Sequence, residues 1–591
     1  MPITPRASRR PCRGRIVAAG AAVRAAACSA LALAACSAEA EVRITGVEDW
    51  VATNVLAHLE LDEQPCDAPP RRIELEMRRA PERVRTALEA FGYYAPRIAQ
   101  RLERTEECWL VEMTIELGEP VLIRALDVRI AGEAADDPAF GAAVAGSSLA
   151  AGAQLDHGLY EALKRRLLDL AVERGYAEAR FEASRIDVYP DDLAADITLH
   201  FDSGPRYRFG RMTLQQDVLS ERMVRSYFGF EEGEPYDSRA LTALYVALAE
   251  TGYFATIDVR PQPADAATRT IPVTVVLTGA PRRLITYGIG FSTDTGPRLQ
   301  FGRNNRRWND RGHQFGVNAQ LSPVTSEITA NYRFPFGDPR YQWVSFDAGV
   351  KREHTDTAES ESLELGARRV SERPGGWTRT EHLSWLVEDF EVADQIGRSR
   401  LLMPGVDWSR LRGDSSIRPT RGSKLELGLR GGSDTLGSDT DFLQASAEGK
   451  WIWSLPSAAR FIVRSRVGVT WERELEELPP SVRFFAGGDQ SVRGYAFESL
   501  GPTDENGEVV GGSKLVVASF EYEQPLVGRW SLAWFVDSGN AFNGSNLDPQ
   551  TGVGMGGRWQ SPIGPVRVDL AYPLDKEDGG IRLHVSLGPD L

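Results

Sequence analysis

Cysteine is scarce in this chain, and so is everything that would mark a metalloenzyme. Of five cysteines in 591 residues, Cys12, Cys28 and Cys36 fall within the first forty, which leaves Cys66 and Cys108 for the remainder. Seven histidines are scattered with no HExxH or other ligand spacing, so no metal centre is expected. No Ser/His/Asp grouping stands out either, and the chain reads as a non-enzyme that needs no cofactor. Positive charge is also short, with 68 Lys and Arg against 83 Asp and Glu for a net charge of −15. Such an acidic balance gives no electrostatic footprint for nucleic acid. Long apolar runs are missing as well. Beyond residue 40 none approaches the ~20 residues of a spanning helix, which excludes a membrane role through helices.

The first forty residues are the exception. Arg6, Arg9, Arg10, Arg13 and Arg15 make a basic start, Ala25 to Ala35 is small and apolar, and Ala38-Glu39-Ala40 offers an A-x-A cleavage site. This is the pattern of a secretory signal over residues 1–40. Leu33-Ala34-Ala35-Cys36 also fits a lipoprotein box, so processing before Glu41 competes with lipidation of Cys36. Residues 1–40 carry six Arg and one Glu, so the mature chain stands near −20. In an exported, oxidising compartment Cys66 and Cys108 could form one disulfide worth ~3–4 kcal/mol. Two independent thiols are the alternative.

What is present divides into two grammars. In the N-terminal half Phe91-Gly92-Tyr93, Arg174-Gly175-Tyr176 and Thr251-Gly252-Tyr253 recur at spacings of 83 and 77 residues. Each closes a helix-like segment, where Gly supplies the left-handed cap, and opens a strand-like one. The helices show apolar residues at helical spacing, as in Leu159, Leu163, Leu167, Leu170 and in Leu241, Leu244, Leu248. Each unit ends in an alternating strand and a turn, at Leu110 to Gly118, Ile197 to Gly204 and Val273 to Gly279. Three α+β modules of βααββ type are expected, at residues 41–118, 119–204 and 205–280.

After about Pro281 cysteine disappears and tryptophan takes over, with eleven of thirteen Trp beyond that point. Strands alternate cleanly: Phe315, Val317, Ala319 and Leu321 against polar or small neighbours, and Leu425, Leu427, Leu429 against Lys424, Glu426, Arg430. A soluble sandwich would alternate too. The polar faces, however, are heavy in Arg, Glu and Asp, as a wet lumen requires, and Trp and Tyr fall near strand ends like the girdles of outer-membrane barrels. Residues 281–591, divided into strand-plus-turn units of ~19 residues, give an antiparallel barrel of roughly sixteen strands.

Two motifs need weighing. Gly552-Val553-Gly554-Met555-Gly556-Gly557 satisfies GxGxxG, but alternation resumes at Val566, Val568 and Leu570 where a nucleotide fold needs a helix. It reads as a Gly-rich barrel strand. The other is the loop Gly487 to Tyr495, GGDQSVRGY, which interrupts the strands and carries Val492, Arg493, Gly494 and Tyr495. Glu521 and Asp537 lie in flanking strands. An Arg fork on wall carboxylates would anchor this loop inside the lumen. Three solvated charges are the alternative, and the sequence does not fix the register that would decide.

At these residues the chain resembles a superfamily of outer-membrane assembly and translocation proteins, which place POTRA modules in the periplasm before a sixteen-stranded barrel. FFAGGDQSVRGY (Phe484 to Tyr495) matches the superfamily's loop motif. GIGFSTDTGPR (Gly288 to Arg298), FVDSG (Phe535 to Gly539), SPIGP (Ser561 to Pro565) and the terminal LGPDL (Leu587 to Leu591) are similar to the TamA family. That ending departs from the terminal aromatic common in outer-membrane proteins.

The resemblance implies a mechanism without cofactor, in the Gram-negative outer membrane. Arg493 corresponds to the family's loop arginine, with Glu521 and Asp537 at the positions of its carboxylate partners in the related BamA. The first strand near Leu284 to Phe291 and the last, Ile581 to Leu587, would meet in a weak seam that offers an edge to client strands. Clients would be unfolded outer-membrane or autotransporter proteins in the lipid bilayer, and a TamB-like inner-membrane-anchored protein the partner. A BamA-type general insertase usually carries five modules and a two-partner secretion translocator two; a passive porin or adhesin barrel is the other class.

Overall fold

The computed structural model describes residues 41–62, 64–105, 108–373, 375–415, 418–561, 564–576 and 579–587. The proposed signal with its Cys36 alternative, and the terminal residues 588–591, lie outside the described residues.

Each of the three repeats folds as strand, two helices and two strands. The first comprises Glu41–Thr45, helices Asp49–His58 and Pro70–Glu89, and strands Arg97–Arg104 and Trp109–Glu116. Its opening strand lies parallel to the last, which is central and pairs antiparallel to the hairpin partner. The second and third repeats have the same strand order. Alternation explains the layering. On Trp109–Glu116 the residues Trp109, Val111, Met113 and Ile115 are buried against Ile73, Val84 and Leu88 of the long helix. The recurrent glycine also makes a joint, since the Gly92 carbonyl accepts from Val121 N–H at 2.9 Å and the Gly175 carbonyl from Tyr207 N–H at 2.8 Å.

Cys66 and Cys108 are joined in a disulfide that ties the segment between the first module's helices to its strand hairpin. The Arg104 guanidinium lies 4.4 Å over the Trp109 ring and donates to the Cys66 carbonyl at 2.6 Å, which covers the bridge.

From Arg283 onward the chain is an antiparallel meander of sixteen strands closed into a barrel, from Arg283–Ser292 to Arg582–Leu587. Outward positions are apolar, as in Ile285, Tyr287, Ile289 and Phe291 on the first strand and Val568, Leu570 and Tyr572 near the last. Small and polar residues alternate with them on the first strand, and Arg567 and Asp569 do so near the last, the pattern of a barrel whose outer face meets lipid. Trp343, Trp377, Trp453, Trp530 and Trp559 stand near the strand ends on the side of the third module.

That module is fastened to the same end. Tyr253 Oη donates to the Gly312 carbonyl at 2.5 Å, Arg307 Nη1 to the Val218 carbonyl at 3.0 Å, and Ser220 N–H to the Asp310 carbonyl at 2.9 Å.

Closure is uneven. The ladder between the first and second strands runs without a break from Arg283↔Asn305 to Ser292↔Gly296. Between the first and last strands it consists, among the described residues, of the single pair Ser292↔Ser586.

Candidate functional site

Residues 473–513 connect the strand Arg460–Glu472 to the strand Lys514–Pro525 at the end away from the modules. This loop folds back into the lumen, and a small apolar core holds it there. Ala486, Val492, Tyr495 and Leu500 of the loop pack on Leu515, Val517 and Ala541 of the wall. The lumen, expected to be wet from its charged faces, is therefore apolar where loop and wall meet. Tyr495 Oη reaches Gln550 Oε1 at 3.4 Å.

Arg493 points inward and is 3% exposed. Its guanidinium grips Asp537 with both faces of the fork, Nε to Oδ2 at 2.6 Å and Nη2 to Oδ1 at 2.9 Å. Nη1 donates to Glu521 Oε2 at 2.8 Å and to Asp569 Oδ2 at 3.1 Å. The backbone N–H of Arg493 donates to Asp537 Oδ2 as well, at 3.1 Å. Below the guanidinium the Phe535 ring centroid lies 3.4 Å from Cζ. A desolvated cation over an aromatic face contributes ~2 kcal/mol.

The register explains why two distant carboxylates serve one arginine. Ser519 pairs with Asp537 and Glu521 with Phe535, so Glu521 and Asp537 stand diagonally on the same face. The fork anticipated from sequence is thus one corner of a larger network. Arg558 donates to Glu521 Oε1 at 2.9 Å and to Asp569 Oδ1 at 2.5 Å. Arg464 donates to Ser519 Oγ at 3.1 Å and lies 3.9 Å from Asp537. Arg464, Arg493 and Arg558 balance Glu521, Asp537 and Asp569, so the cluster is neutral despite its burial. A buried charge whose partner is removed costs about 3–5 kcal/mol, so each member holds the others in place.

Asp569, Arg558, Arg464 and Ser519 were not singled out from sequence. Alternation carried the signal, because Val568, Leu570 and Tyr572 face outward and place Asp569 and Arg567 inward. The Gly-rich strand belongs to the site as well. A Cβ on Gly552 would stand 1.8 Å from the Arg493 carbonyl oxygen, and one on Gly556 1.9 Å from Asp569 Oδ1. Glycine there lets the loop backbone and the ion cluster lie flat on the wall.

Together these features define a class: an outer-membrane β-barrel preceded by POTRA modules, with an inward-folded loop anchored by ions on its wall. Residues 307–590 match the Omp85 superfamily domain, and residues 41–117 match the POTRA domain TamA domain 1. The chain belongs to the Omp85 superfamily, with its modules on the periplasmic side of the Gram-negative outer membrane. It is 24% identical over 454 residues to the outer membrane protein assembly factor BamA of Nitratidesulfovibrio vulgaris, across 71% of this chain and 56% of that protein. To BamA of Neisseria meningitidis serogroup B it is 23% identical over 493 residues, across 71% and 61%. The chain thus spans less than two thirds of the length of these curated relatives. Among solved structures, BamA of Haemophilus ducreyi lacking POTRA domains 1–3 shares the fold at TM-score 0.65 and 17% identity, over 79% of this chain and 99% of that one.

Proposed function

We propose that this protein inserts or secretes outer-membrane β-barrel and autotransporter clients through the seam between its first and last strands, working with a TamB-like partner anchored in the inner membrane. The observation that carries this reading is that, among the described residues, Ser292↔Ser586 is the one ladder pair between the first and last strands, where neighbouring strands share full ladders. Closed barrels remove sheet edges; a closure that is one pair long among the described residues leaves strand edge for another chain. The exposed N–H and C=O groups of such an edge recruit an incoming strand through its backbone, with little demand on its sequence. The TamA-type first module supports a partner that reaches the periplasmic end.

The test uses the full chain in proteoliposomes with Ser292→Cys and Ser586→Cys combined, and the two single variants as controls. Oxidation should lock the seam and block folding of an added client barrel, and reduction should restore it. Full client assembly by the locked form overturns the reading.

The assembly-factor relatives support a second reading, a BamA-type general insertase. Client assembly that is unchanged when the TamB-like partner is deleted in cells would favour it.

A further inference from the structure

The anchored loop touches both strands that flank the seam. On one side Asp489 N–H donates to Asp294 Oδ2 at 2.6 Å, and Ser292 Oγ donates to Asp489 Oδ2 at 2.9 Å. Ser292 ends the first strand and Asp294 stands in the turn that follows it. On the other side Gly494 N–H donates to Nε2 of His584, which is buried in the last strand. A backbone N–H can only donate, so Nε2 is the acceptor and the imidazole is neutral with its proton on Nδ1. That Nδ1 faces Asp294 Oδ1 at 4.0 Å.

The first hairpin, the loop tip and the last strand therefore meet at one point, buried at Gly494 and His584 and half-buried at Ser292, Asp294 and Asp489. Among the described residues the strands themselves add little there. Besides Ser292↔Ser586, Thr293 N–H donates to the Val585 carbonyl at 3.1 Å and Val585 N–H to Thr293 Oγ1 at 3.2 Å. Behind the junction lies a lumenal cavity of about 500 Å³ that Ser292, Asp294, Asp489 and Ser586 help to line.

We propose that the loop tip is a latch across the seam: Asp489 holds the first hairpin, Gly494 holds the last strand, and Asp294 and His584 are the residues that position it. Arg493 precedes Gly494 directly, so seating the arginine on Asp537 also sets the latch. Unseating the tip releases both edges together and opens the cavity behind them. The loop then has two discrete arrangements, and anything that pulls on Arg493 biases the seam. The latch rests on the seam reading above, and its test is separate from that of the seam.

Spin labels on Ile289→Cys and Leu583→Cys, which both face outward, report the width of the seam in the full chain in lipid. The parent chain should give one short distance. Asp489→Ala and His584→Leu should raise the population at longer distance roughly tenfold, the scale of one lost hydrogen bond to a charged or buried partner. His584→Gln, whose side-chain oxygen still accepts from Gly494 N–H, should restore the short distance. Restoration by Gln is what a general packing role for His584 would not give. If His584→Leu fails to fold, Asp489→Ala carries the same reading from the opposite side of the seam. An unchanged distance in the folded variants overturns the latch even if the locked cysteine pair shows that clients use the seam. A locked pair that remains fully active removes the seam function instead, and the distances then describe a static closure.

Discussion

The carbonyl oxygen of Arg493 occupies the position where any side chain on Gly552 would begin, 1.8 Å from an ideal Cβ. Loop and wall are therefore in backbone contact, and the arginine reaches its carboxylates because this strand is bare. Gly552→Ala should lift the loop from the wall and impair client assembly about as much as Arg493→Ala. Gly557→Ala, where an added Cβ meets nothing within 4 Å, should leave assembly intact. Hydrogen exchange across residues 487–496 checks the displacement directly. Equal protection in both glycine variants would refute it.

Arg493→Lys tests whether the anchor needs a fork or a charge. A lysine ammonium cannot hold both oxygens of Asp537 while it serves Glu521 and Asp569, and it loses the planar stack on Phe535. Loop docking should weaken by about 3–5 kcal/mol in Arg493→Ala, because three carboxylates are left with Arg464 and Arg558. Arg493→Lys should fall between Ala and the parent. The barrel should still insert in both, which heat-dependent gel mobility reports.

Much of this architecture was legible because alternation with a period of two and a repeat of about eighty residues are one-dimensional signals. Phe315, Val317 and Ala319 announce a strand by themselves, and three Gly-Tyr pairs announce three modules. The anchor was half legible. Arg493, Glu521 and Asp537 stood out by motif, yet Asp569, Arg558, Arg464 and His584 join them through registers that span several strands. Registers are set by pairing in three dimensions, which a single strand's sequence does not encode. Gly552 was read as part of a Gly-rich barrel strand, as it is, but its contact with the loop was hidden for the same reason: that role depends on a residue some sixty positions upstream in the chain.

Closure of the latch should depend on pH. Asp294 stands in a turn outside the spanning strands, and burial, followed by the charge of Asp489, holds its carboxyl well above the usual carboxylate range. The groups that face this junction are Asp489 from the loop, Arg582 and His584 from the last strand, and, beyond His584, Arg493 and Asp569. A raised value in the closed form means that the closed form binds the proton more tightly than an open, solvated Asp294. The stabilisation is complete below the ordinary carboxylate value and is lost as pH rises through the raised one. The seam should therefore open more readily on going from mildly acidic to mildly alkaline buffer, read by the Ile289–Leu583 label pair. Asp294→Asn should flatten this dependence and keep the seam closed throughout; an unaltered slope in that variant would assign the titration elsewhere.

The Cys66–Cys108 bridge should matter to docking and not to the barrel. It closes a sequence separation of 42 and pins the helical side of the first module to the hairpin that ends in its central strand. By the chain-entropy relation a loop of this size is worth about 4 kcal/mol, most of what a module of this length can spare. Cys66→Ser with Cys108→Ser should therefore raise hydrogen exchange across Trp109–Glu116 and the helix Pro70–Glu89. Exchange in the barrel strands and in residues 487–496 should stay as in the parent, since the core of Val111, Met113, Ile115 and Ile73 is the module's own. If the modules recruit a periplasmic partner, partner capture should fall in this variant while the seam distance does not change. Loss of both together would instead make the first module part of the gate.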